Sequence, residues 1–220
     1  RESMKWRRTV SMLLICAGVA LCGWAASHYV RGWRAQAEGR RALASGLAPG
    51  RHHRENPGID AASDRLGLFR EESPGGVAPT ESAIPDGYPY GEAIARLKIP
   101  SAGIDSVVFA GADGDTLEKG PGHVPGTEMP GGTAHSNCVI TGHRDSHFRH
   151  LGWLKPGNEI ELDSPAGNRR YRVVSREIVA PDAVRVLQAT AAPRLTLITC
   201  YPFNYVGPAP RRLVVVAEPG

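Results

Sequence analysis

The chain has 220 residues, 41% of them hydrophobic and 22% charged, with a formal net charge of +4. That length allows one folded domain of ordinary size plus extra segments, and implies no second catalytic domain beside it. The positive balance owes much to arginines flanking an apolar run, so a basic segment beside an anionic envelope explains it and nucleic-acid binding does not follow.

In chain order, the first element is the run 10–30, apolar and almost uncharged, long enough to cross a hydrocarbon core that needs about 20 helical residues. Lys5, Arg7 and Arg8 precede it and Arg31, Arg34, Arg40 and Arg41 follow, so charge alone leaves its orientation open. A cleaved signal peptide is the competing reading, since Gly23-Trp24-Ala25 offers small residues at cleavage positions; the length of the run favours a retained anchor. Residues 31–87 lack sustained apolar periodicity and are rich in Arg, Ala, Gly, Glu and Pro, which reads as a largely flexible linker, with 35–48 able to prolong the first helix for a few turns.

From residue 88 to 220 the pattern is mostly strands. Short β-branched or apolar runs at 95–99, 106–109, 137–141, 159–162, 170–175, 195–199 and 213–217 are separated by Gly, Pro, Asp and Asn, a spacing that predicts a sandwich or closed barrel. Pro156-Gly157-Asn158 and Pro165-Ala166-Gly167-Asn168 are turn signals, and 115–119 reads as a short helix with Asp115 at its start.

The chemistry gathers around Thr196-Leu197-Ile198-Thr199-Cys200, an apolar strand that Tyr201-Pro202 ends by removing a backbone donor. Cys200 thus stands at a strand end, with Arg211 and Arg212 opening the following strand and Thr141-Gly142-His143 upstream. Each has a plain structural alternative: a lone cysteine is usually a small core residue, paired arginines are usually solvated, and single histidines are usually structural. Together they form a set able to perform acyl transfer. Cys200 supplies the nucleophile, His143 shuttles the proton to and from an amine, and a guanidinium holds the oxyanion or the substrate backbone. Strand neighbours point to opposite faces, so only one of Arg211 and Arg212 is expected to face the groove.

The remaining polar groups carry weaker signals. His143, His147 and His150 would be a candidate metal set, yet none is paired with the closely spaced carboxylate or thiol ligands of a strong zinc pattern. Asp113 and Asp115 mimic the start of a calcium loop, but the expected Gly and terminal Glu are misplaced. No metal or cofactor is expected. Asp145 is placed to orient Arg144 or His143, or to sit solvated in a turn. Cys138 reads as a buried packing residue, with a Cys138–Cys200 disulfide as the less favoured alternative.

Taken in order, the strand-end Thr-Leu-x-Thr-Cys, the upstream His and the downstream Arg resemble the sortases, cysteine transpeptidases of the bacterial cell surface. The resemblance runs from about residue 95 to the end, through Leu97-Lys98-Ile99-Pro100, Gly120-Pro121-Gly122-His123, Gly142-His143-Arg144-Asp145, Leu154-Lys155-Pro156-Gly157 and Tyr201-Pro202-Phe203. The Gly-His-Arg-Asp and Cys-Tyr-Pro-Phe contexts are most similar to class D.

The resemblance implies an all-β fold, an eight-stranded sortase-type β-barrel with one or two short helices, preceded by an N-terminal transmembrane helix. It implies a cytoplasmic N-terminus over 1–9, an anchor over 10–30, an extracytoplasmic linker over 31–87 and a catalytic domain over 88–220 outside the membrane. Cys200, His143 and Arg212 become the catalytic residues, Arg212 because the family's arginine immediately precedes the apolar strand. The implied reaction cuts a Leu-Pro-x-Thr-Gly-like sorting signal after Thr through a Cys200 thioester. The acyl group then passes to an amine of a cell-wall precursor or a pilin-type lysine. Partners would be secreted proteins with C-terminal sorting signals, and 180–194 would be the substrate-recognition loop, with Pro181, Val184 and Leu187 able to cover the peptide. Two alternatives stand beside it: a cysteine hydrolase that releases the acyl group to water, and a non-catalytic envelope-binding domain.

Overall fold

The computed structural model describes residues 2–45, 88–132 and 136–220. Residues 46–87 of the linker expected over 31–87, with His52 and His53, lie outside the described residues.

Among the described residues there are eight strands: β1 (Ala93–Ile99), β2 (Ile104–Ala110), β3 (Gly122–His123), β4 (Asn137–Thr141), β5 (Glu159–Ser164), β6 (Gly167–Val179), β7 (Arg194–Tyr201) and β8 (Arg211–Pro219). They close into a barrel in the order β1-β2-β3-β4-β7-β8-β6-β5, the eight-stranded architecture expected of the sequence. The pairs β2–β3 and β4–β7 are parallel and the others antiparallel.

Alternation along each strand divides the side chains between two cores. Leu97, Ile99, Ile140, Leu195, Leu197, Leu213 and Val215 fill the barrel interior. Val139, Val179, Ile198 and Val214 point outward and pack under Val186 and Leu187 from the β6–β7 connection. Both faces of β7 and β8 are therefore covered, which is why their sequences read as continuous apolar runs rather than as alternating ones.

Local signals place the turns. The β5–β6 hairpin turns through Pro165-Ala166, with Ser164 opposite Gly167. Before it, the Asn158 carboxamide accepts the Lys155 N–H at 2.8 Å and closes the Lys155–Asn158 turn. The short helix α2 spans Gly114–Lys119, and its cap is Asp113 rather than Asp115: the Asp113 carboxylate accepts the Thr116 N–H at 3.0 Å. Asp115 lies inside the first turn, where its charge complements the helix dipole. Two strands differ from expectation. Two-residue β3 is too short to leave a pattern, and β6 runs past the expected 170–175 through a bulge between Val173 and Ser175 that resets its alternation.

The N-terminal helix α1 (Glu2–Ala44) corrects the linker boundary, because 31–44 is helical and docks on the barrel. Ala35 and Leu43 pack against Ala93, Val107 and Phe109, and a Cβ on Gly39 would meet the Val107 side chain at 2.8 Å. Buried Gln36 completes the dock: its carboxamide oxygen accepts the Val107 N–H at 2.7 Å, and its Nε2 donates to the carbonyls of Val107 and Lys119, each at 3.0 Å. Because β3 pairs with β2 only at Phe109 and Ala110, the edge of β2 near Val107 has no strand partner, and Gln36 supplies the missing hydrogen bonds. Met12, Leu13, Leu14, Ile15, Val19, Leu21 and Trp24 on the same helix are exposed. Among the described residues, however, no helix is long and apolar enough to cross a membrane.

Replacing Gln36 by Leu strands a buried N–H and two carbonyls. Denaturant unfolding is expected to show a loss of about 1–3 kcal/mol, with faster hydrogen exchange at the Val107 amide.

Candidate active site

The register of β7 against β8 sets Cys200 directly opposite Arg212 and Tyr201 opposite Arg211. Directly opposed residues share a face of the sheet, so Arg212 accompanies the thiol and Arg211 points away. Arg211 is exposed, whereas Arg212 is 7% exposed. Its Nη1 donates to the carbonyls of Ala209 at 2.9 Å and Arg211 at 3.0 Å, which fixes the guanidinium beside the strand end. Cys200 is a free thiol, half-buried.

His143 arrives from the other side of β7. Strand β4 runs parallel to β7 with Thr141 level with Ile198, so the turn that follows it carries His143 toward the end of β7 that bears Cys200. The Gly142 N–H and the Thr141 hydroxyl both donate to the Ile198 carbonyl, at 3.1 and 3.2 Å, and the buried Thr199 hydroxyl donates back to the Gly142 carbonyl at 2.7 Å. Glycine is required at 142 because a Cβ there would meet the buried Phe148 ring at 2.9 Å. The exposed imidazole is thus carried on a turn pinned to the residue preceding the cysteine. The barrel brings all three expected residues to one end.

Behind them the outer apolar cluster packs Val139, Ile198 and Val214 under a wall from the β6–β7 connection. Leu187 is 1% exposed and packs into that cluster, whereas Val184 is 38% exposed and Pro181 half-buried. Asn137 anchors the wall: its Nδ2 donates to the carbonyls of Val186 and Gln188 at 2.9 and 3.1 Å, and its Oδ1 accepts the Thr196 hydroxyl at 2.7 Å. Asn137 braces this wall and Thr199 braces the His143 turn, contacts that motif reading did not assign to either residue. The available signal was a lone amide opening the apolar run Asn137 to Ile140.

The other polar candidates hold structure. His123 is buried, its Nε2 within 2.9 Å of the Glu128 carbonyl and 3.1 Å of the Thr127 hydroxyl. His147 lies 3.4 Å from the Ser106 hydroxyl, and His150 stacks on Trp153 at 4.0 Å. Among the described residues no three His, Cys, Asp or Glu side chains are grouped to hold a metal. The Asp145 backbone carbonyl accepts Arg149, and no hydrogen bond joins the Asp145 carboxylate to Arg144 or His143. Cys138 faces the barrel interior level with Leu195, five residues and about 16 Å along the ladder from Cys200, far beyond disulfide reach.

A cavity of about 820 Å³ lies nearby but not over the thiol. Its walls include Tyr201 and Leu213, whose side chains point the other way from Cys200 and Arg212, with Arg144, Arg149, Trp153, Arg176 and Phe203 around them.

A strand-end cysteine facing an arginine, with a histidine on the turn after the parallel neighbouring strand of a closed eight-stranded barrel, defines a class of barrel proteins with a cysteine–histidine–arginine site. The sortase-domain profile matches residues 97–220, and the chain belongs to the sortase family. It is 36% identical over 129 residues to Sortase D of Bacillus subtilis (strain 168), covering 58% of this chain and 64% of that one, so the match spans less than two thirds of the relative's length. Among solved structures it is similar to sortase C-1 of Actinomyces oris, with TM-score 0.54 and 31% identity, covering 59% of this chain and 75% of that one. It is also similar to Clostridium perfringens sortase C with the C-terminal cell wall sorting motif, with TM-score 0.58 and 25% identity, covering 74% of this chain and 89% of that one.

Burial first, and then the charge of neighbouring His143, holds the His147 imidazole below its ordinary value of 6.5. Between the two values the unfolded chain binds the proton and the folded one does not. Stability is therefore full above pH 6.5 and falls as pH drops toward the folded value. Thermal melts from neutral to acid pH are expected to show this decline, and His147→Gln to flatten it.

Proposed function

We propose that the chain is a membrane-anchored cysteine transpeptidase that cuts a Leu-Pro-x-Thr-Gly-like sorting signal after Thr and joins the new acyl end to an amine. The observation that carries the reading is the register that puts Cys200 opposite Arg212, with His143 on the turn that follows the parallel strand β4.

The chemistry follows from that arrangement. The Cys200 sulfur attacks the threonine carbonyl carbon as a thiolate, its proton held on His143, and the oxygen gathers negative charge within reach of the Arg212 guanidinium. The C–N bond breaks as His143 gives its proton to the departing glycine amine, leaving a thioester on Cys200. An incoming amine then loses a proton to His143 as it attacks the thioester carbonyl, and the thiolate leaves. The acceptor is an amine of a cell-wall precursor or a pilin-type lysine. The run 10–30 serves as a single-pass anchor with the basic N-terminus inside, and the barrel works outside the membrane on secreted proteins carrying the signal.

The test is mass spectrometry of the full chain in detergent, incubated with Leu-Pro-x-Thr-Gly peptides and an amine acceptor. A Cys200 acyl adduct and an amine-linked product are expected, both abolished by Cys200→Ala. Turnover should fall about 10²–10⁴-fold in His143→Ala and about 10²–10³-fold in Arg212→Ala, with Arg211→Ala near wild type. Product that ignores added amine would make the chain a hydrolase, and intact peptide with every acceptor would sink the transpeptidase reading. Carbonate extraction of cell envelopes should leave the full chain in the membrane pellet.

A further inference from the structure

We propose that Arg144 is a positioning residue that clamps the loop joining Cys200 to Arg212 onto the turn carrying His143, and so sets how the imidazole meets the thiol; this rests on the transpeptidase reading above. Cys200 and Arg212 are registered by the β7–β8 ladder. His143 belongs to a different connection, 142–150, and the strand ladders end before both this turn and the facing 202–210 loop.

Arg144 bridges the two. Its Nη2 donates to the carbonyls of Tyr205 and Gly207, both at 2.8 Å, and its guanidinium carbon lies 6.0 Å from the Tyr205 ring centroid. Two carbonyls converging on one nitrogen fix the direction of the guanidinium, and the residue bearing it is covalently next to His143. Arg212 grips the same loop from its far end through the Ala209 carbonyl. Beyond Phe203, which packs against the barrel core, the loop has little packing to hold it otherwise. Val206 is 97% exposed, Tyr205 is 46% exposed, and Phe203 and Asn204 border the open cavity with Arg144 itself.

The chemistry of the arginine fits a clamp better than a surface charge. Arg144 forms no ion pair among the described residues, and its Nη1 is buried without a hydrogen-bond partner. A guanidinium kept in that setting sacrifices hydration for two loop carbonyls, and what those carbonyls secure is the gap between His143 and Cys200. Asp145, the next residue, makes no comparable contact through its carboxylate.

The experiment compares Arg144→Ala and Arg144→Lys in the wild-type and His143→Ala backgrounds, using the full chain in detergent with a Leu-Pro-x-Thr-Gly peptide and triglycine. Melting temperatures are recorded for each variant. Arg144→Ala is expected to lower kcat about 10²-fold, as small misplacements of catalytic groups do, while KM for the peptide changes by less than about threefold. Lysine, which keeps donors for the loop carbonyls, should recover part of the rate. In the His143→Ala background Arg144→Ala should cost little more, because its effect runs through the imidazole. An equal loss in both backgrounds, an unchanged kcat, or a loss that simply follows the melting temperature in both variants would overturn the clamp. Wild-type protein that forms no Cys200 adduct would instead bring down the transpeptidase reading itself.

Discussion

The site depends on one constraint, the antiparallel register of β7 and β8 inside a closed barrel. Closure removes the freedom of either strand to slip, since a one-residue shift would send Leu195, Leu197, Leu213 and Val215 out of the interior. The same shift would replace Arg212 by Arg211 or Leu213 opposite the thiol. Packing energy in the core is therefore what holds a guanidinium beside a cysteine. Nothing in the local chemistry of either residue requires them to meet.

A second consequence of alternation is the division of labour between faces. Interior side chains stabilise the barrel, and the outward side chains of β4, β7 and β8 form a second core under the β6–β7 connection. That connection is held in place by Asn137, whose amide donates to the carbonyls of Val186 and Gln188. The bulge in β6 belongs to the same design. By resetting the alternation after Val173 it turns Val179 outward into this second core and turns Arg176 toward the carbonyls of Gly152 and Leu154.

The N-terminal helix adds a different kind of order. A short β3 leaves part of the β2 edge unpaired, and Gln36 closes it with side-chain hydrogen bonds in place of a strand. The barrel thus has its edge covered by the segment that leads back toward the apolar run.

Much of this was legible in the sequence. The strand-end Thr-Leu-Ile-Thr-Cys, the upstream Gly-His-Arg-Asp and the arginine before the last apolar strand identify the family, because each residue's chemistry is local to its motif. Seven of the strands announce themselves by composition and turn signals, although the β6 pattern breaks at its bulge, where the apolar spacing loses its period. Residues 31–44 carried only a stripe of Ala35, Gly39 and Leu43, too small and weak to mark a docking face. What the tertiary structure alone decided is geometry between segments distant in the chain: Arg212 registered opposite Cys200, the His143 turn tied to β7, Gln36 on the β2 edge, and Arg144 on the 202–210 loop. Composition and motif determine which groups are present and what each can do. Which of them face one another is set by strand register and barrel closure, and those arise from burying the whole core at once.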